Sequence, residues 1–314
     1  MLIKQVIQVY DLLDRADASG KKVKEYMESL GAKDIILEKL HDEDDTKTTD
    51  YIRITIPGKN GKVMKGNSPT LGVLGRLGGI GARPEVVGYV SDGDGALAAL
   101  AVAAKLLEMQ LNGDYLDGDV IICTDINPNA PTQPHDPVPF MGSAIKMDTI
   151  NKAEVTDDMD AILCIDTTKG NRIINHRGFA ISPTVKDGYI LRVSEQVLDV
   201  YQIVTGQLPK VFAISIQDIT PYGNGIYHLN SIMQPCTVTS APVIGVAITA
   251  ETMVPGCATG ASHFTDVEAA ARFTIEVAKQ FGKGNCSFYD PEEFELIQKK
   301  YGSMEHLKTK GASD

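Results

Sequence analysis

No block of lysine and arginine runs through this chain, no apolar run approaches the roughly 20 residues that span a bilayer, and no two cysteines stand at metal-binding spacing. Each absence narrows the field. With 30 basic against 41 acidic residues the net charge is -11, and an acidic pI near 5.0 argues against nucleic acid or an anionic membrane surface as a partner. The five cysteines, Cys123, Cys164, Cys236, Cys257 and Cys286, are odd in number and widely spaced. They read as reduced thiols, neither a disulfide framework nor a thiolate zinc site. The opening Met1-Leu-Ile-Lys-Gln-Val lacks the charged stretch and apolar core of a secretory signal. The expectation is a cytoplasmic protein with a small-molecule or peptide-like ligand. Repeats and low-complexity linkers are missing too, so residues 1–314 read as one continuous domain.

What is present is a rhythm of buried strands and helices. Of 314 residues, 43% are hydrophobic, enough for a full core. Residues 1–31 carry apolar positions at helical spacing, with a break at Gly20 and a cap at Gly31. Residues 35–57 read as a hairpin, Ile35 to Leu40 and Tyr51 to Ile56, around the polar loop His41 to Thr49. The core over 70–282 has apolar runs at Leu71 to Leu74, Val86 to Val90, Val120 to Cys123, Ala161 to Ile165, Phe179 to Pro183, Tyr189 to Val193, Lys210 to Ile216 and Val243 to Ile248. Helical patterns fall at Ala96 to Met109, Glu195 to Val204 and Thr265 to Phe281. Such alternation predicts an α/β fold, three-layer α/β/α with a mixed, mainly parallel central sheet. The tail 308–314 is expected to be disordered.

The most informative stretch is Val87-Gly-Tyr-Val-Ser-Asp-Gly-Asp-Gly-Ala96, where an apolar run stops at an acidic turn and an alanine-rich helix begins. Open α/β sheets bind ligands beyond the carboxyl ends of their strands, so Asp92 and Asp94 are candidates for holding a cation or moving a proton. Helix capping by either acid explains the same residues. Asp125 and Asp166 follow two other strands, and His135-Asp136 sits in a proline-rich loop between Asn127 and Pro139. A mainly oxygen set with one imidazole would suit manganese, magnesium or zinc rather than a soft-metal thiolate site.

Gly72 to Pro84 is a second feature. Its glycines, Gly78 and Gly79 among them, allow close backbone approach to an anion, and Arg76 and Arg83 offer bidentate contacts to a carboxylate; Lys169 is a further candidate for positioning a substrate anion. A tight structural turn accounts for the same glycines. No Gly-Lys-Ser/Thr follows and no dinucleotide fingerprint is formed, so no nucleotide cofactor is expected. Neither a nucleophile elbow nor a catalytic-cysteine signature occurs.

Residues about 70 to 282 resemble the catalytic domain of the co-catalytic zinc exopeptidases, particularly the TET-type glutamyl aminopeptidases, a phosphorylase/hydrolase-like architecture. The likeness rests on Ser91-Asp-Gly-Asp-Gly-Ala-Leu-Ala-Ala-Leu, the strand before Asp166, Lys186-Asp-Gly-Tyr-Ile-Leu, Ile219-Thr-Pro-Tyr-Gly-Asn-Gly-Ile-Tyr-His, and Ala241-Pro-Val-Ile-Gly-Val-Ala-Ile before Asp266-Val-Glu-Ala-Ala. The resemblance implies that Asp92 bridges two metals and Asp166 ligates one. It also implies homo-oligomeric assembly. Other positions depart from the pattern. Gly75-Arg76-Leu77-Gly78 stands where the family has its first histidine ligand. Asp125 alone stands where it has an adjacent Glu-Glu pair, and His263 falls a few residues beyond its last histidine. The whole chain is also identified as a member of an uncharacterised bacterial and archaeal domain-of-unknown-function family.

Two functions follow from these residues. One is a metal-dependent hydrolase of an amide bond in a small peptide or amino-acid derivative, using zinc or manganese. Its metal set would be drawn from Asp92, Asp166, Asp125, His135 and His263, with Asp94, Asp125 or Asp136 in catalysis. The other is a non-catalytic scaffold that holds a small anionic ligand through the loop 72–84. A non-hydrolytic enzyme such as a lyase also remains open.

Overall fold

The computed structural model describes residues 1–76, 88–134, 136, 138–257 and 261–309. The N-terminal region forms two helices, α1 (Ile3–Leu13) and α2 (Gly20–Ser29). Ser19 caps α2, its Oγ accepting from the Lys22 N–H, a common way to satisfy a free amide at a helix start. A Cβ on Gly20 would lie 2.5 Å from Leu37 Cδ1, so glycine lets α2 rest on the strands that follow. These are β1 (Asp34–His41) and β2 (Thr48–Ile56), paired antiparallel. Pairing reaches into the polar segment at both ends and leaves a shorter loop, where Asp42 Oδ1 accepts from the backbone N–H groups of Thr46 and Lys47.

Next come β3 (Leu71–Gly75), α3 (Asp94–Leu111) and β4 (Val120–Ile126), then a small ribbon of β5 (Thr132–Gln133) and β6 (Phe140–Met141), followed by α4 (Met147–Glu154) and β7 (Ala161–Thr168). The second half adds β8 (Gly178–Ile181), β9 (Thr184–Lys186), β10 (Tyr189–Leu191), α5 (Glu195–Thr205), β11 (Val243–Thr249), α6 (Phe264–Gly282) and α7 (Pro291–Tyr301). Nine strands form one mixed sheet in the order β1-β2-β4-β3-β7-β11-β9-β10, with β8 also on β11. Its centre, β4-β3-β7-β11, is parallel. Apolar residues cover both faces. Val73, Ile122, Leu163 and Val246 belong to the core shared with α1, α3 and α6, while Leu74, Cys123, Cys164 and Ala247 pack with Phe212, Ile232 and Met233 on the other side. Burial on both faces explains why these strands read as continuous apolar runs.

Three segments differ from the pattern read along the chain. Gly88 to Val90 is buried but not a strand; the Tyr89 N–H bonds the Asp14 carboxylate instead of a ladder. Between Lys210 and Ile216 only Val211 bridges a strand, Ile181, and at Ser215 the chain turns into a 3-10 helix with a full capping box. Helix α7 adds an element beyond the closing helix: Asp290 accepts from the Glu293 N–H and Pro291 stands in the first turn, a start signal visible in Asp-Pro-Glu-Glu. No helix among the described residues is long and apolar enough to cross a membrane.

Candidate functional site

The carboxyl ends of the parallel strands converge on the start of α3, and two glycines set how close it comes. A Cβ on Gly75 would lie 2.7 Å from the Gly95 carbonyl oxygen, and one on Gly95 would lie 2.5 Å from that of Ile165. The helix start therefore touches the tips of β3 and β7. This brings the acidic turn Ser91–Gly93 beside Asp166, which lies within β7 rather than after it. The turn is tied at two points. Ser91 Oγ donates to the Gly256 carbonyl, and Thr167 Oγ1 donates to the Ser91 carbonyl.

Asp92 is 5% exposed. Its Oδ2 accepts the Met141 N–H at 2.7 Å, and its own N–H donates to the Gly256 carbonyl. Burial, reinforced by the nearby charge of Asp166, pushes its carboxyl up to about 7 although the Met141 bond and Lys169 oppose the rise. Asp166 is also raised by burial, against the Ser231 hydroxyl, the Thr167 N–H and Arg76. Ser231 Oγ donates to its Oδ2 at 2.7 Å. Both acids line a cleft of about 730 Å³ together with Asp136, Lys169, Tyr222, His228 and Ser231. Its rim is apolar: Phe140, Ile173, Tyr227, Leu229 and Met253 are all more than 40% exposed.

Asp94, first residue of α3, is fully buried and saturated. Tyr89 Oη and Ser262 Oγ donate to Oδ1 at 2.9 and 2.6 Å, and Lys169 Nζ donates to Oδ2 at 2.8 Å. Lys169 is thus held by an acid 75 residues earlier in the chain. Arg76 is buried as well, with Nη1 2.5 Å from Glu154 Oε2. It borders a smaller cavity with Asp125, Gly142, Ser143 and Met147 rather than the large cleft. Burial pushes Glu154 up to about 8 against the pull of Arg76. Asp125 lies within β4, 4% exposed, and accepts from Thr49 Oγ1.

Of the other residues singled out in the sequence, Asp136 lies on the exposed edge of the cleft. His263 is exposed at the start of α6, outside the cleft. His135, Gly78, Gly79 and Arg83 lie outside the described residues. Sequence reasoning had missed Glu154, Ser231 and the Met141 amide. Arg76, next to a buried strand, called for a counter-charge, but nothing along the chain singled out Glu154 as its source.

The donors among the described residues do not fit zinc or manganese. Among the described residues no group of three or more His, Cys, Asp and Glu is placed to hold a metal ion. A structural zinc site takes four ligands and a catalytic one three plus water; here Asp94 is spent on a lysine, a tyrosine and a serine.

Gly256 is the tightest point of the site. A Cβ there would lie 2.0 Å from Asp92 Oδ1, so Gly256→Ala must displace the carboxylate or the loop. Such overpacking costs about 1–3 kcal/mol. Urea denaturation is expected to show that loss; an unchanged midpoint would mean that the loop yields freely.

Comparison with known proteins supports the fold. No curated protein matches the sequence. The solved structure of leucine aminopeptidase from Caenorhabditis elegans is similar, with a TM-score of 0.52 and 13% identity over 91% of this chain, which spans 66% of that enzyme's length. The glutaminyl cyclase of an Acidobacteriales bacterium gives 0.49 and 11% over 90% of this chain and 93% of its own. The first likeness agrees with the mixed α/β sheet; identity this low speaks to fold alone. Residues 40–311 match the family described as protein of unknown function (DUF1177), and the chain belongs to that family.

Proposed function

We propose that the chain is a hydrolase-fold enzyme that cleaves an amide bond in a small peptide-like ligand by carboxylate acid–base chemistry, with Asp92 as acid and Asp166 as base. The observation that carries this reading is the shared cleft: two buried acids from different elements line one cavity at the carboxyl ends of parallel strands, where open α/β sheets bind ligands. The exopeptidase-like, three-layer scaffold is retained in this reading, and its metal chemistry is not.

An acid and a base at one pH require two carboxyls that titrate apart, and this reading gives the proton to Asp92, which burial pushes up to about 7, and the ionised form to Asp166, which Ser231, the Thr167 N–H and Arg76 favour. Ionised Asp166 takes a proton from water as its oxygen bonds the amide carbon. Protonated Asp92 gives its proton to the departing nitrogen as the C–N bond breaks, so charge and protons balance. The apolar rim favours an apolar side chain. With Lys169 committed to Asp94, the free acidic edge at Asp136 favours a ligand ammonium.

Leucine amide and phenylalanine amide test the reading directly. Each is expected to raise the melting temperature and to release ammonia, and N-acetylation is expected to weaken binding about tenfold, the ratio for ~1.4 kcal/mol. If neither amide shifts the melting temperature nor is cleaved, the proposal fails.

A further inference from the structure

We propose that Lys169 is the resident cation of this site: its ammonium supplies the positive charge that the buried carboxylates require, in place of a divalent metal ion. The inference concerns charge balance and does not depend on the reaction. Lys169 Nζ sits 2.8 Å from Asp94 Oδ2, with the two side chains 4% and 0% exposed. Among the described residues, Lys169 and Arg76 are the only lysine and arginine counted as buried, and Arg76 is paired with Glu154.

The backbone aims this lysine. Its carbonyl accepts the Val254 N–H, and the next amide, Gly170 N–H, returns to the Thr168 carbonyl. Gly170 has φ +67°, and a Cβ there would lie 2.1 Å from the Thr252 carbonyl oxygen. That left-handed turn, closed against the loop after β11, is open to glycine at little cost. From this loop Lys169 Nζ meets the first residue of α3. The other oxygen of Asp94 is filled by Tyr89 and Ser262, which leaves that carboxylate no free face for a metal. A divalent ion would meet the repulsion of an ammonium fixed in a low-dielectric interior. The charge of Lys169 also reaches Asp92, whose ionised form it favours.

Metal dialysis of the full chain tests the proposal. Wild type dialysed against micromolar Mn²⁺ or Zn²⁺ is expected to retain less than about 0.1 equivalent, whereas Lys169→Met is expected to bind at least tenfold tighter. The paired variant Asp94→Asn with Lys169→Met is expected to lose that gain. Tight stoichiometric metal in wild type that Asp94→Asn abolishes would overturn the proposal, and so would a folded Lys169→Met that binds no better than wild type. If Lys169→Met does not fold in metal-free buffer, refolding with and without Mn²⁺ replaces dialysis. Recovery only with the metal supports the substitution of one cation for another; recovery in neither overturns it.

Discussion

Asp92→Asn is expected to cut turnover by about 10²–10⁴-fold and, at alkaline pH, to make the protein more stable. Both effects come from burial. A rise of the Asp92 carboxyl from 3.8 to about 7 means that the fold favours the protonated form by about 4 kcal/mol. The sign follows from linkage: a carboxyl raised on folding contributes its full stability below the unfolded value and loses it as pH climbs through the folded one. The window runs from about 4 to about 7. Asparagine carries no charge and can accept the Met141 N–H as Asp92 does. In urea denaturation the variant should match wild type near pH 4 and exceed it by about 2–4 kcal/mol above pH 8.

Activity should move the opposite way, since removing a general acid costs about 10²–10⁴-fold. The wild-type rate is expected to fall as pH passes through about 7, where Asp92 gives up its proton. A variant with full turnover removes Asp92 from the chemistry. One less stable than wild type above pH 8 shows that the charged form is welcomed by the fold, contrary to the burial argument.

The strands β4, β7 and β11 could be read along the chain because both of their faces are covered, which leaves no polar position to break the run. Asp92 and Asp166 stand out for the same reason, as acids at the edge of apolar stretches. The pairings that decide what each charge does were not legible. Lys169 reads as a loop lysine free to meet a substrate, yet it closes on Asp94; Arg76 reads as an anion contact, yet it closes on Glu154. Both partners are more than 70 residues away. Glu154 ends a short helix of ordinary polar appearance. Pattern and propensity report the neighbourhood along the chain; an ion pair is set by which loops the sheet order brings together.

The Arg76–Glu154 pair yields the second large effect, and it separates a structural role from a functional one. Both side chains are fully buried, while Arg76 Nε and Glu154 Oε1 have no hydrogen-bond partner among the described residues. Removing Arg76 leaves the Glu154 carboxyl buried without its partner, and because burial already pushes that carboxyl up to about 8 it keeps its proton at neutral pH, so Arg76→Met alone is expected to cost about 1–3 kcal/mol in urea denaturation. Replacing the pair by Met and Leu removes both charges. Buried ion pairs exchanged for apolar residues of similar volume are often neutral or stabilising, so the double variant is expected within about 1 kcal/mol of wild type. A double variant as unstable as the single one would show that the pair itself holds this corner of the fold together. Stability is not the whole of it, because Arg76 also helps to keep Asp166 ionised. With the fold restored and Arg76 gone, Asp166 holds its proton to higher pH, because Glu154, pushed up to about 8, is uncharged over the acid limb and its removal does not offset the loss of Arg76. The acid limb of the hydrolysis profile, which requires Asp166 as a base, is therefore expected to shift upward in the double variant. An unmoved limb would confine Arg76 to its partnership with Glu154.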